Sequence, residues 1–472
     1  MQGGAGGAGG VGGSKQAGAS GAAGAAGAAG AACTPSALPD EPDDSFEDTN
    51  CDGIDGDKGA AVFVAGPSGD DTKGGAFGEP VKTIQRGIEL AQASGKKAVY
   101  VCSGVYQEAL VLDGKKGAVS LYGGYNCLGE ATPWRRNDGD NVLVEPPSGV
   151  PLLVKDATEP VTVDRFNVQG PDAPGGAVAG SSYAVQVFQS VLVRLRHADL
   201  AAGAGAKGTD GAGGDDAPGP LACGGQADCG SGAWGGDGAP GAPTGQGAFH
   251  GAGFTPGLAP SGGDGAVGSH GTAPPTTAQA PQSKCTIVGG ETCNVSTGPV
   301  AVPPGRCGCG GGRGRGGRGG KSGGASVGLF AVGPSTSVVL EASQVRGGAG
   351  GKGGVGGPGG DGTDGTFGAP GPSTSYTKRT CKPPVCPPDD PGCGPPTCGT
   401  SGSGVVSGAS GGKGGKGGRG GKGGSGAGGM AYAVVTVGGA EVDTSDAVLV
   451  PGTGGLGGPG APSGDAGETR AF

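Results

Sequence analysis

"VTVDRFNVQG" (161–170), "VLVRLRHADL" (191–200), "VVLEASQVRG" (338–347) and "AEVDTSDAVLV" (440–450) can be written above one another without gaps. Each follows another short apolar run, "PLLV", "YAVQVF", "VGLFAV" and "AYAVVTV" respectively, and each leads into a turn or a glycine-rich stretch. A short strand, a turn, a second short strand and an exit at one corner, repeated with unequal loops, describe the stacked coils of a solenoid. A sandwich would not place its long insertions at one position of the repeat.

The alignment stacks Asp164, Arg194, Glu341 and Asp443 in one column and Asn167, His197, Gln344 and Asp446 in another. If the coils lie at strand spacing, about 4.8 Å, these columns are side-chain ladders. Alternating charge favours a structural ladder over a catalytic row, because Asp164, Arg194 and Glu341 satisfy one another. They are nonetheless the catalytic candidates if the solenoid groove carries chemistry.

Composition limits how much else can be ordered around a core. With 120 glycines and 38 prolines in 472 residues and only 4% aromatic residues, a single hydrophobic core spanning the chain is excluded. Thirty-two basic against 41 acidic residues argue against a general nucleic-acid or anionic-membrane binder. Fourteen cysteines fall in close pairs such as Cys223 and Cys229, Cys285 and Cys293, Cys381 and Cys386, Cys393 and Cys398, which reads as disulfide stapling in an oxidising compartment. Zinc is the weaker alternative, since there are three histidines and no CxxC partnered by a second CxxC. The pairing itself is not readable.

No stretch is long enough for a membrane span, and "MQGGAGGAGG" lacks the basic and apolar runs of a secretory signal. The cysteines point the other way, to an extracellular or outer-membrane surface location with a signal segment upstream of Met1. "AGAAC", ending at Cys33, has the outline of a lipoprotein cleavage box.

Between the repeats runs a glycine clock. Triplets start at Gly3, at Gly18, across 308–325, across 350–373 and across 408–428. A three-residue period is that of the polyproline II helix, with glycine on its crowded side. Flexible linkers, packed polyglycine-type helices and collagen-like trimers all remain open, although low proline content weighs against collagen.

The N-terminal part carries a more specific signal. "PVKTIQRGIELAQASG" spaces Val81, Ile84, Ile88 and Ala91 by three and four and ends at Gly95, which predicts a short amphipathic helix. β-rich runs broken by Ser-Gly, Asp-Gly and Gly-Gly turns follow it over 97–127. "GGAFGEPVKTIQRGIELA", "VYVCSGVYQEALVL" and "VSLYGGYN" together resemble the opening of right-handed parallel β-helix proteins of the pectin-lyase-like superfamily. Pro80, Lys82, Thr83, Ile84, Gln85, Gly104, Tyr106 and Glu108 carry the match, which covers residues 75 to 126. The nearest subgroup is the glycine-rich secreted or surface bacterial type. The resemblance implies an all-β fold, a short right-handed parallel β-helix with an N-terminal capping helix and long glycine-rich excursions. The superfamily's polysaccharide lyases and hydrolases use Asp, Lys and Arg clusters on one sheet face. The sequence displays no such cluster, with Lys155, Asp156 and Arg165 the only further candidates.

Upstream, "DTNCDGIDGD" sets Asp48, Asn50, Asp52, Asp55 and Asp57 around the turn at Gly53. Hard calcium takes six to eight oxygens from such a tightly curved loop. The stretch resembles the acidic calcium repeats of extracellular bacterial and thrombospondin-type proteins. It lacks the closing glutamate of an EF-hand, since Gly59 stands there. "GGRGRGGRGGK" (311–321) and "GGKGGKGGRGGKGG" (411–424) carry no aromatic residues for base stacking, so contact with acidic sugars or an envelope component is expected rather than nucleic acid.

The expected organisation is a Gly/Ala-rich tether (1–40), an acidic calcium-type loop (41–59) and the capping helix with the first coils (60–200). A Gly/Cys-rich excursion (201–325), a coil (326–346), a second excursion with a cysteine cluster (347–428), a coil (429–452) and a glycine-rich tail (453–472) follow. The expected function is structural or adhesive, with a polysaccharide or an envelope component as the expected partner. The alternative is a carbohydrate-active enzyme, a lyase or hydrolase working in the solenoid groove.

Overall fold

The computed structural model describes residues 33–36, 39–127, 134–176, 180–223, 232–271, 278–279, 301–382, 388–389 and 397–472. The glycine triplets before residue 33, and Cys229, Cys285, Cys293, Cys386 and Cys393, lie outside the described residues. Among the described residues the chain is all-β apart from one α-helix and a single 3-10 turn. No helix among the described residues is long and apolar enough to cross a membrane.

Two parallel sheets enclose the main core. One contains, in order, Ala466–Ala471, Ala431–Val437, Ser326–Val332, Ser182–Phe188, Leu152–Lys155 and Leu110–Asp113. The other has two files of strands. The first runs Ala61–Val64, Ala98–Cys102, Ser120–Asn126, Val161–Asp164, Val193–Arg196 and the front half of Ser337–Arg346. The second runs Gly104–Tyr106, Val142–Val144, Phe166–Gln169, Asp199–Ala201 and the back half of Ser337–Arg346, and Glu441–Val450 pairs along the outer side of that long strand. Going along the chain, each repeat adds one strand to the first sheet and then one to each file of the second.

The alternation in the repeats explains the interior. Val161, Val163, Val193, Leu195, Val338 and Leu340 are buried between the sheets, while the residues between them face outward. "VGLFAV" and "AYAVVTV" do not alternate, and for a physical reason: their outer face is covered too. Phe330, Tyr183, Tyr432 and Val435 form a second apolar layer with Phe249, which a hairpin from the first excursion folds back onto the sheet. Continuous apolar runs are the signature of strands buried on both faces.

The structure corrects the register of the expected columns. Asp164 pairs with Arg196, not Arg194, and Arg196 with Glu341. Arg194 lies level with Thr162 and Val339, and Asp443 is level with Val339 while Asp446 stands opposite Glu341. In the second column Asn167 pairs with Asp199 and Asp199 with Gln344, so His197 leaves that ladder, and Asp446 belongs to the first column instead of the second. Arg196 and Asp199 each stand two residues from the expected partner. A slip of one would turn valines outward, whereas a slip of two preserves every inward-facing side chain and so escapes pattern reading.

The corner between the two files is a single residue in left-handed conformation: Arg165 (φ 58°), His197 (φ 46°) and Ala342 (φ 45°) stand at equivalent places in successive repeats. A left-handed residue other than glycine costs about 1–2 kcal/mol. The N–H groups of the first two are used, Arg165 donating to Arg196 O and His197 to Glu341 O.

The helix Ile84–Ser94 covers the open end of the core between the two sheets, burying Ile84, Ile88 and Ala91. The residues behind the superfamily resemblance hold it in place. The Glu108 carboxylate accepts from the Ile84 and Gln85 N–H groups at 2.8 and 3.0 Å, and Gln85 Oε1 accepts from Val111 N. Thr83 caps the first turn and Gly95 (φ 73°) ends the helix. Burial pushes Glu108 up, partly offset by these backbone N–H groups.

The excursions leave after Ala201 and Arg346 and return at Ser326 and Ala431, so both open at the same corner of successive repeats. Their glycine triplets are ordered. Gly205, Gly208, Gly211 and Gly214 donate to the carbonyls of Ala349, Lys352, Val355 and Pro358 at 2.7–2.8 Å. Gly351, Gly354, Gly357 and Gly360 donate to Gly324, Lys321, Arg318 and Arg315, each at 2.8 Å, and Gly417, Gly420, Gly423 and Gly426 donate to Thr363, Gly360, Gly357 and Gly354, each at 2.9 Å. Polyproline II helices have no internal hydrogen bonds, so every third residue is free to bond a different neighbour. Packed extended helices, the second of the three expectations, are what these segments form. Segments 203–217, 232–244, 259–271, 305–324, 350–371, 408–429 and 452–458 all take part. The expected tail is therefore built in: 452–458 joins this bundle and Ala466–Ala471 joins the first sheet.

Disulfides join Cys33 to Cys51, Cys102 to Cys127 and Cys223 to Cys309. Cys223 thus bridges two bundle segments instead of closing on its sequence neighbour Cys229.

Candidate functional site

The densest group of ionisable side chains gathers where the N-terminal loop crosses the corner residues of the second sheet. Arg136, fully buried, donates through Nη1 to Asp55 Oδ2 at 2.9 Å and to Asp43 O at 2.7 Å, and through Nη2 to Asp164. Asp164, also fully buried, receives Arg165 Nη1 at 3.0 Å and lies 3.0 Å from His197 Nδ1. Arg165 continues to Asp138 at 2.6 Å and Asp44 at 3.2 Å, and Arg196 reaches Asp44 at 3.2 Å and Glu341 at 3.3 Å. The Phe46 ring lies against Arg165, 4.8 Å from centroid to guanidinium.

Electrostatics follow from burial and these contacts. Burial pushes Asp55 up to about 6 even though Arg136 opposes the shift. Burial also acts to raise Asp44, but His197, Arg165 and Arg196 together hold it below the ordinary carboxylate value. For Arg136 burial opposes the charge, and Asp164, Tyr125 and Asp55 outweigh it. Beside the network lies an open groove of about 850 Å³ whose lining includes Asp138, Arg165, His197, Asp199, Gln344 and Asp446.

Of the catalytic candidates Asp164, Arg194 and Glu341, the structure places Asp164 in the network's centre, with the further candidate Arg165 beside it. Glu341 stands at its edge. Arg194 is partly exposed, with Nε 3.7 Å from Glu341 Oε1, and Asp443 is an exposed residue held by its own turn through Ser445 N–H. The further candidates Lys155 and Asp156 pair with Asp113 and Lys115 on the opposite corner. A cluster of arginines and carboxylates on one face, which the sequence did not display, does exist once Asp44, Asp55, Arg136 and Asp138 join it. Arg136 and Asp138 belong to no repeat, and the loop carrying Asp44 reaches Arg165 across 121 residues. No local pattern could have announced them.

Asp44, Asp164 and His197 bring ligand atoms within 4.8 Å of one another, the one such group among the described residues that could hold a metal ion. Arg136 and Arg165 already donate to Asp164, and two guanidinium groups on one would-be ligand suit an ion-pair network better than a cation site. In the acidic loop, Asp48 accepts from Asp52 N and Gly53 N, Asn50 from Asp52 N, and Asp57 from Gly59 N. Asp55 is drawn out of the loop to Arg136, and the Lys58 ammonium rests on the Asp52 carbonyl.

Comparison with known proteins finds no matching family model, no matching curated protein and no matching solved structure.

Proposed function

We propose that the protein is an extracellular or cell-surface scaffold of structural or adhesive function, in which a right-handed parallel β-helix of the pectin-lyase-like kind carries the glycine-helix bundle as its display surface. The observation that carries this reading is the bundle itself. Its segments hold one another chiefly through backbone hydrogen bonds, which leaves the non-glycine side chains free for the outside. On the segment 408–429, Lys413, Lys416, Arg419 and Lys422 are all exposed at every third position. At about 3.1 Å rise per residue they repeat every 9 Å or so along one straight edge, a spacing suited to the charges of an acidic polysaccharide or envelope polymer.

The polar network supports the same reading. Its charges are used on one another, and they fasten the loop 40–57 across the sheet. Calcium on Asp48, Asn50, Asp52, Asp55 and Asp57 would stiffen that loop further, once Lys58 and Arg136 are displaced. The groove beside Arg165 and His197 keeps a carbohydrate-active enzyme as the second reading.

Binding to immobilised acidic polysaccharides tests the proposal. Replacing Lys413, Lys416 and Lys422 together by Gln should weaken retention several-fold without lowering thermal stability. Retention unchanged by the triple substitution would remove the cationic edge from the account. Steady release of reducing or unsaturated ends, lost in His197→Ala, would establish the enzyme instead.

A further inference from the structure

The cationic row on 408–429 is flanked on either side by another segment of the bundle. Gly235 N and Gly238 N donate to Lys416 O and Arg419 O at 2.8 Å, which sets 232–244 parallel to the row. On the other side Gly414 N and Gly417 N donate to Thr366 O and Thr363 O at 3.0 and 2.9 Å, which sets 350–371 antiparallel to it. Side chains of both flanks lean over the row. Asp237 Oδ1 accepts from Arg419 N at 2.8 Å, and Asp361 pairs with Arg419 Nε at 2.6 Å.

Nearer the start of 408–429 the same positions carry aromatic rings. Trp234 stands to Lys416 as Asp237 stands to Arg419, one triplet earlier in both segments. Two triplets beyond Asp361, Phe367 reaches Lys413, whose Nζ lies 4.8 Å from the ring centroid. Trp234 and Phe367 are 80% and 81% exposed, more than any other large apolar side chain among the described residues. Two such rings on opposite flanks of one row are not scattered surface residues, and a grouping of this kind marks an interaction surface.

Charge is distributed unevenly along the row as well. Arg419 is engaged by Asp361, whereas Lys413, Lys416 and Lys422 make no ion pair among the described residues. Rings and free ammonium groups therefore coincide at the end that carries Lys413 and Lys416. The levels of the two rings differ by one triplet, about 9 Å at about 3.1 Å per residue, which is the length of a disaccharide unit. We infer that this end of the row is a subsite for an acidic oligosaccharide. The C–H faces of two successive sugar rings stack on Trp234 and Phe367, and their carboxylates accept from Lys413 and Lys416. Asp364, at the step level with Lys416, accepts from a sugar hydroxyl. The inference rests on the polysaccharide reading proposed above and adds that the row selects by ring as well as by charge. Successive bases of a single-stranded nucleic acid would need rings in file along one side, and here the two stand on opposite sides.

Calorimetric titration of the full chain with a hexamer of glucuronic acid, and with inorganic polyphosphate as a polyanion without rings, tests this. Trp234→Ala and Phe367→Ala should each weaken hexamer binding roughly three- to tenfold and leave polyphosphate binding unchanged. Thermal stability should not move, because both rings are exposed. Trp234→Phe should restore most of the lost affinity, and Lys413→Gln/Lys416→Gln should weaken both probes. Hexamer affinity that is unchanged in both ring variants but lowered in the lysine variant would overturn the inference and leave the cationic row standing. No response to the lysine variant would remove the row as well. Equal loss of both probes on removing a ring would mean that the rings only position the lysines, and tighter, ring-dependent binding of oligodeoxythymidine would assign the site to nucleic acid; either result overturns the inference.

Discussion

Two neighbouring glycines separate an ordered bundle from a set of linkers. Gly213 and Gly214 lie in one triplet of segment 203–217. Built at Gly214, a Cβ would stand far inside contact distance of Arg315 O and 2.7 Å from Arg315 C. Built at Gly213, its nearest neighbour is Pro358 Cγ at 3.6 Å, an ordinary contact. To admit a methyl group at Gly214 the segment must move off Arg315. That strains the Arg315 N to Asp215 O bond (2.9 Å) and the Gly214 N to Pro358 O bond (2.8 Å). Overpacking costs about 1–3 kcal/mol, and two weakened hydrogen bonds add about 1 kcal/mol each. Gly214→Ala should therefore destabilise the bundle by roughly 3–5 kcal/mol. Gly213→Ala should be neutral or stabilise by about 0.4–1 kcal/mol, because alanine restricts the unfolded chain. Hydrogen exchange of the amides in 205–217 and 351–360 reads the bundle directly, and calorimetry reads the whole molecule. Equal exchange in both variants and in the wild type would refute the packing argument, since only a linker treats the two positions alike.

The ion pairs should divide by burial. Arg136→Ala leaves Asp55 and Asp164 buried without their cation and should cost about 3–5 kcal/mol, whereas Arg194→Ala removes an exposed contact and should cost under about 1 kcal/mol in chemical denaturation; similar losses would mean that the buried network is not what fastens the loop. Asp55, near 6 when folded and 3.8 when not, binds its proton more tightly in the native state. Its contribution to stability is fully present below about pH 4 and is lost as pH rises through about 6, so the stability of Asp55→Asn relative to wild type should climb across that window by on the order of 1–3 kcal/mol; a flat difference would contradict the raised value. In the acidic loop, calorimetric titration should find tighter calcium binding in Lys58→Ala than in the wild type, because the ammonium no longer competes for the Asp52 carbonyl. Absence of heat in both would leave the loop as a strap alone.

What the sequence determined by itself is whatever depends on local spacing. Period-two valines announced the strands, the three-and-four spacing of Val81, Ile84, Ile88 and Ala91 with Gly95 announced the helix, and the position of the long insertions announced a stacked repeat that opens at one corner. The three-residue glycine period announced extended helices as one of three outcomes. It could not decide among them, because such a helix has no bonds of its own and its partners lie far along the chain, as Pro358 does from Gly214. Register was undecidable for a related reason: Arg194 and Arg196 both face outward, and only the stacking of Val193 on Val161 and Val338 selects Arg196 as the neighbour of Asp164. The candidate site was legible through Asp164, Arg165 and Glu341 and no further. Asp44, Asp55, Arg136 and Asp138 owe their place to an N-terminal loop laid across distant strands of the second sheet, and burial by that tertiary contact is what turns dispersed surface charges into one coupled network.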